Sequence, residues 1–120
     1  MSDFLGIHGT ALALREQRLQ LLASNLANAD TPGYQARDLD FSAALQAALM
    51  PGGSETSDAI GAAASGATYQ RPALQASLDG NTVDTQREQA TFAQAALEYR
   101  ASMSFVESKV RTMLTAITGE

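Results

Sequence analysis

The chain has 120 residues, with 8 basic and 13 acidic side chains, a net charge of −5 at pH 7, and neither cysteine nor tryptophan. That acidity, with the basic residues scattered along the chain, argues against nucleic acid or anionic lipid as a partner, since both demand basic surface. The length allows one domain over residues 1–120, much of its apolar content is alanine, which buries little area, and without cysteine there is no disulfide frame and no thiolate nucleophile or metal ligand.

The N-terminal stretch MSDFLGIHGTALALREQ has no basic leader, and Arg15 with Glu16 interrupts any apolar core, so no secretory signal is expected. No apolar run reaches the roughly 20 residues that a membrane span requires. Direct membrane insertion is therefore not expected, and composition alone predicts a cytoplasmic chain. A first helix is predicted from Asp3 to about Ala29. Leu5, Leu12, Leu19, Leu22 and Leu26 recur at three- and four-residue steps or their multiples and form one apolar seam. Leu14 and Leu21 form a flanking stripe. Gly6 and Gly9 weaken the first turns, each at about 1 kcal/mol relative to alanine.

The helix runs into Asn25 and Asn28 and stops at Asp30-Thr31-Pro32-Gly33-Tyr34. Pro32 fixes its own φ and pushes Thr31 out of the helical region, and Gly33 supplies a positive φ. A rigid corner followed by an extended segment to Phe41 is predicted. Asparagine inside a helix competes for backbone groups, so the two amides need a role. One role is local: Asn28 and Asp30 satisfy the free carbonyls and amides around the corner. The other is a hydrogen bond to a neighbouring subunit that fixes register, as a polar residue does in a coiled-coil seam. Spacing does not separate the two. The local role is expected for Asn28 and the interface role for Asn25.

Phe41 to Leu49 is compatible with a short helix. Met50 to Gly66, MPGGSETSDAIGAAASG, offers almost no large apolar side chain and is predicted to be a flexible loop. Tyr69 to Leu78 alternates weakly and suits a short extended piece. Asp79-Gly80-Asn81 is a turn signal. The last helix is predicted from Thr85 to Thr118, about 50 Å long. Thr85 with Glu88 three residues on forms a capping-box pattern. From Phe92 the apolar positions are Ala96, Tyr99, Met103, Val106, Val110, Met113 and Ile117, a heptad stripe. By that register Glu98 lies on the outer face. Glu107 and Arg111 suit a solvent-side pair, and Gly119 marks the stop.

Catalytic constellations are absent. His8 is the only histidine, and no partner at ligand spacing accompanies it. Asp38 and Asp40 alternate on an extended segment and are expected at a solvated surface or in an intersubunit salt bridge. Gly52-Gly53 lacks the lysine and hydroxyl residue of a phosphate loop, and Ser54 and Ser57 have no base. No cofactor is implied.

The motif from Asn25 to Tyr34, preceded by Leu14, Arg15 and Arg18, resembles the N-terminal signature of bacterial flagellar rod, hook and hook-associated proteins. The continuation Gln35 to Phe41 and the segment Gly80 to Asp84 are similar to the proximal-rod branch, and the short length leaves no room for the large inserted domains of hook relatives. The resemblance implies a structural subunit. Such a subunit packs with copies of itself and with other proximal-rod proteins, meets the rod–MS-ring adaptor and the export gate, and leaves through the flagellum's own export apparatus to the periplasm-spanning rod without a cleaved signal. The expected fold is all-α, with the N- and C-terminal helices paired in coiled-coil fashion around an irregular middle. Leu14, Leu21, Leu97 and Leu114 lie off the main seams, more apolar stripes than one hairpin covers, and exposed apolar stripes mark interaction surfaces. A small cytoplasmic coiled-coil adaptor or chaperone would also explain the heptads, but it leaves the corner unexplained.

Overall fold

In the computed structural model, residues 6–49, 57–72 and 78–119 are described. Helix α1 spans Ile7–Ala27, strand β1 Arg37–Leu39, helix α2 Phe41–Ala48, helix α3 Ser57–Ala67, strand β2 Thr68–Gln70 and helix α4 Thr85–Thr118. The molecule is elongated, 63 × 31 × 17 Å, because α4 runs almost its whole length. The all-α expectation holds. The strands are one short antiparallel pair, with Arg37 opposite Gln70 and Leu39 opposite Thr68.

Local chemistry sets each boundary. α1 starts at Gly6 with φ 52° and no side-chain cap, in keeping with the glycine-weakened first turns. α2 is capped by Asp40, whose side chain accepts from the Ala43 amide. α4 is capped by Asp84, which accepts from the Arg87 amide. The capping box expected from Thr85 and Glu88 is therefore displaced: Thr85 is already the first helical residue, and Glu88 is buried and used elsewhere. Gly119 ends α4 in the left-handed region, as expected.

The middle departs most from expectation. Of the segment predicted to be a flexible loop, residues 50–56 lie outside the described residues, and Ser57–Ala67 is a helix. Its small side chains allow close approach. Ala64 is buried in a cluster with Leu14, Leu39 and Ala44, flanked by Leu21, Phe41, Leu45 and Ile60. The stripe of Leu14 and Leu21, expected to be surplus, thus forms the core with α2, α3 and β1. Alanine contributes little area per residue but lets two short helices and a strand pack closely around one leucine of α1.

α1 and α4 lie antiparallel: Asn25 meets Glu88, Arg15 meets Glu98 and His8 stacks on Phe105. The predicted α4 stripe borders the contact with α1 without being fully buried. Glu88, Glu98 and Phe105 make contacts with α1, and Ser102 lines the groove beside it. Glu88 and Ala95 are buried, whereas Ala96, Tyr99, Met103, Val106 and Met113 are half-buried, Val110 is 41% exposed and Ile117 73%. Glu98, expected on the outer face, instead bonds Arg15 at 2.6 Å. On α1, Leu22 is buried, and Leu12, Leu19 and Leu26 are half-buried on the flank away from Leu14. Leu5 lies outside the described residues. Past Phe105, α4 continues from Val106 to Thr118, about 20 Å of helix.

Candidate functional site

The corner after α1 forms one side of the site. Thr31 to Tyr34 close a turn, with the Tyr34 amide donating to the Thr31 carbonyl at 3.2 Å and Gly33 at φ 75°. Proline second and a positive-φ glycine third define a type II turn. The segment after it runs beside residues 79–82: Gly33 N donates to Asp79 O at 2.7 Å and Thr82 N to Tyr34 O at 2.9 Å. Ala36 N donates to Thr82 Oγ1 at 2.7 Å. A side chain at Gly80 (φ 77°) would meet the Gly33 Cα at 3.6 Å, so two glycines sit where two turns touch.

Asn81 pins this junction. Its Nδ2 donates to the carbonyls of Asn28, Ala29 and Thr31 at 2.9, 3.0 and 2.7 Å. These lie around the C-terminal end of α1, where helix carbonyls lack intrahelical partners. Its Oδ1 accepts from the Val83 amide at 2.7 Å. Sequence reasoning saw only a turn signal here. An asparagine directly after Asp-Gly could have flagged a capping role, but its targets are some fifty residues away.

Asn25 holds the other side. It is fully buried. Its Nδ2 donates to Arg37 O at 2.7 Å and to Glu88 Oε2 at 3.1 Å, while its Oδ1 accepts from Arg37 N at 3.0 Å and the Tyr34 hydroxyl at 3.1 Å. All four hydrogen-bonding capacities of the amide are used within the chain. The expected bond from Asn25 to a neighbouring subunit is therefore overturned, because no donor or acceptor is left for one. Asn28 behaves as expected: its Nδ2 donates to Ser24 O at 2.8 Å, and its Oδ1 accepts from Thr31 Oγ1 at 3.0 Å. Asp30, Thr31, Pro32 and Gly33 are exposed, and Tyr34 is half-buried.

A charge network extends from Asn25. Glu88, fully buried, accepts from Asn25 and pairs with Arg71. Arg71 reaches Asp38 Oδ2 at 3.5 Å. Asp38, 5% exposed, receives Arg18 through Nε at 3.0 Å and Nη2 at 3.3 Å. Those hydrogen bonds to Asp38 raise the Arg18 pKa above its ordinary value against the opposing effect of burial. Arg15 and Arg18 then lead to Glu98 at 2.6 and 3.7 Å. Three arginines balance three carboxylates. Asp38 is thus neither solvated nor free for an intersubunit bridge, and Asp40 leaves it to cap α2. Sequence reasoning missed Glu88, Arg71 and Arg18 as a unit because they come from three distant segments.

None of this is catalytic machinery. The network is closed on itself, and no group of three or more His, Cys, Asp or Glu among the described residues is placed to hold a metal ion. No described helix is long and apolar enough to cross a membrane. A shallow groove of about 270 Å³, lined by His8, Ala11, Arg15, Glu98, Ser102 and Phe105 among others, follows the α1–α4 seam. What the arrangement does is mechanical: it fixes a corner, a helix pair and a small core to one another, while Leu97, Val110, Leu114 and Ile117 of α4 remain exposed.

Comparison with known proteins agrees with that geometry. The family model described as flagella basal body rod protein matches residues 5–35, a stretch that holds α1 and the corner. The flagellar basal body rod protein FlgB of Aeromonas hydrophila is 45% identical over 96% of this chain and 92% of its own length. That of Cereibacter sphaeroides is 45% identical over 98% and 96%, and that of Salmonella typhimurium 40% over 91% and 88%.

Proposed function

This chain belongs to the FlgB family of flagellar basal body rod proteins, as a structural subunit of the rod and not an enzyme, and from that premise we propose how it is built into the shaft. The observation that carries the proposal is the set of large apolar side chains that α4 leaves exposed. Leu97 is 67% exposed, Leu114 55% and Ile117 73%. Burial of apolar area is worth about 25 cal/mol per Å², so a helix from a neighbouring subunit is the natural cover.

Tyr99, Met103, Val106, Val110, Met113 and Ile117 of α4, with Ala96 behind them, form the lateral contact. Leu12, Leu19 and Leu26 of α1 widen it on the same flank, and Leu22 closes the inner seam. Asn25, Asn28 and the 30–34 corner act within the subunit, setting the angle at which the middle leaves the helix pair. The neighbours are further copies of this chain and other proximal-rod proteins, arranged helically into a hollow shaft. Contacts at the base are with the rod–MS-ring adaptor and the export gate, and the subunit reaches the periplasm-spanning rod by the flagellar export route without signal cleavage. Torque transmission needs long stiff elements joined by many contacts, which a 34-residue helix with an apolar flank supplies. The cytoplasmic adaptor is not favoured by the family assignment.

The test is cell fractionation. A rod subunit co-purifies with detergent-resistant basal bodies. Recovery only in the soluble fraction of flagellated cells would refute the assembly.

A further inference from the structure

The segment from α3 to Arg71 is held by little apolar contact. Of the 11 residues of α3, five are alanine and two are glycine, and Ile60 is its one large apolar side chain. The helix packs on α1 and α2 through Ile60, Ala64 and Ala67, so it buries little apolar area. Gly61 and Gly66 weaken it further relative to alanine. β2 adds three residues of antiparallel pairing to β1, prolonged by Asp40 N to Ala67 O at 3.0 Å and Arg71 N to Ala36 O at 2.8 Å. Beside that weak packing stands one deeply buried tie, the ion pair of Arg71 with Glu88 of α4. We infer that residues 57–71 form a strap that opens independently of the α1–α4 pair, with Arg71 as its clasp, and that the closed strap covers the Leu14–Leu39 cluster.

The burial of the charges identifies the clasp. The Arg71 and Glu88 side chains are 8% and 1% exposed. The Arg15–Glu98 pair, at 25% and 34%, lies where water can replace it at little cost. Asn25 and Arg71 together hold the Glu88 carboxylate. Arg71 itself is less well served: its Nε and Nη2 find no hydrogen-bond partner among the described residues, and Nη2 lies 3.5 Å from Asp38. A buried donor without a partner favours an open state in which water reaches it. The clasp is strong in charge and poor in hydrogen bonds, and local opening takes little free energy where few apolar contacts are buried. Opening lifts Ile60, Ala64 and Ala67 from Leu14 and Leu39, which are 0% and 4% exposed when the strap is closed. The strap stands on the chain's own packing, and its failure leaves the rod assignment untouched.

The chain contains no cysteine, so one introduced thiol reports each unit. Ala64→Cys reports the strap and Ala95→Cys the α1–α4 pair, and both alanines are buried, at 6% and 2%. Alkylation of the purified full chain is timed under one reagent, because the rate at a buried thiol follows how often it is uncovered. In the parent background the Ala64→Cys thiol reacts faster than the Ala95→Cys thiol. Arg71→Met leaves the Glu88 carboxylate buried without its cation, and speeds the strap thiol by about tenfold or more and the helix-pair thiol far less. Adding Glu88→Gln removes the stranded charge, keeps an acceptor for Asn25, and brings the strap thiol back toward the parent rate. Gly61→Ala/Gly66→Ala, where a Cβ meets nothing within 4 Å, slows the strap thiol by about fivefold or more and leaves the helix-pair thiol unchanged. One common rate for both thiols in the parent overturns the inference, as does an Arg71→Met effect shared equally by both or absent from both. Failure of Glu88→Gln to restore closure overturns the clasp.

Discussion

Replacing Asn81 tests the junction most directly. Its amide spreads two protons over three carbonyls, at 2.9, 3.0 and 2.7 Å, in a site where the residue is 6% exposed. Asn81→Ala takes the described donor from the Ala29 carbonyl, while the Asn28 and Thr31 carbonyls keep only the amides of Thr31 and Tyr34. A buried acceptor left unsatisfied costs about 1–3 kcal/mol. Part of the corner, Thr31 to Gly33, is exposed, so water relieves some of that, and roughly 2 kcal/mol is expected. For a chain of this size each kcal/mol moves the thermal midpoint by about 3–6 °C, so the midpoint should fall by about 6–12 °C. Asn81→Asp sharpens the sign. The carboxylate keeps the volume and can still accept from Val83 N, but it faces three carbonyl oxygens with no proton to offer, so it should melt below the alanine variant. The assay is thermal unfolding of the full chain by far-UV circular dichroism at one fixed protein concentration. An aspartate variant as stable as the parent, or more stable than alanine, would refute the reasoning.

Val110→Asp should leave the purified chain's melting within about 0.5 kcal/mol of the parent, since a substitution at so exposed a position touches no intrachain feature. It should nonetheless abolish motility when expressed in a strain lacking the native protein, and motile cells at normal expression would show that the stripe is not an interface. Leu14→Ala, fully buried among α2, α3 and β1, should cost about 2–5 kcal/mol in the same melts. Leu19→Ala, half-buried on the uncovered flank, should cost clearly less, and equal losses would mean that the two stripes are not distinguished by packing.

The family motif was legible because the corner is written in backbone chemistry. Pro32 and Gly33 permit few conformations in any context, and the turn formed as expected. The long helices were legible from periodicity and from Gly119. The region 57–67 was misjudged because its composition lacks large side chains, yet alanines can pack against a leucine supplied by α1. Tyr69 to Leu78 was expected to hold a short extended piece, and Thr68–Gln70 provides one, but its partner strand lies on the far side of the middle segment.

The sequence by itself determined the two terminal helices, where the chain must turn, and the family, because these depend on local sterics, capping and short-range periodicity. The tertiary structure alone decided which face of each helix is inside. Periodicity does not show that Glu88 turns inward on α4. The choice depends on where Arg71, Asp38 and Asn25 arrive from distant parts of the chain to meet Glu88. A buried charge is tolerated only beside its partner, and that partner is fixed by the fold, not by spacing.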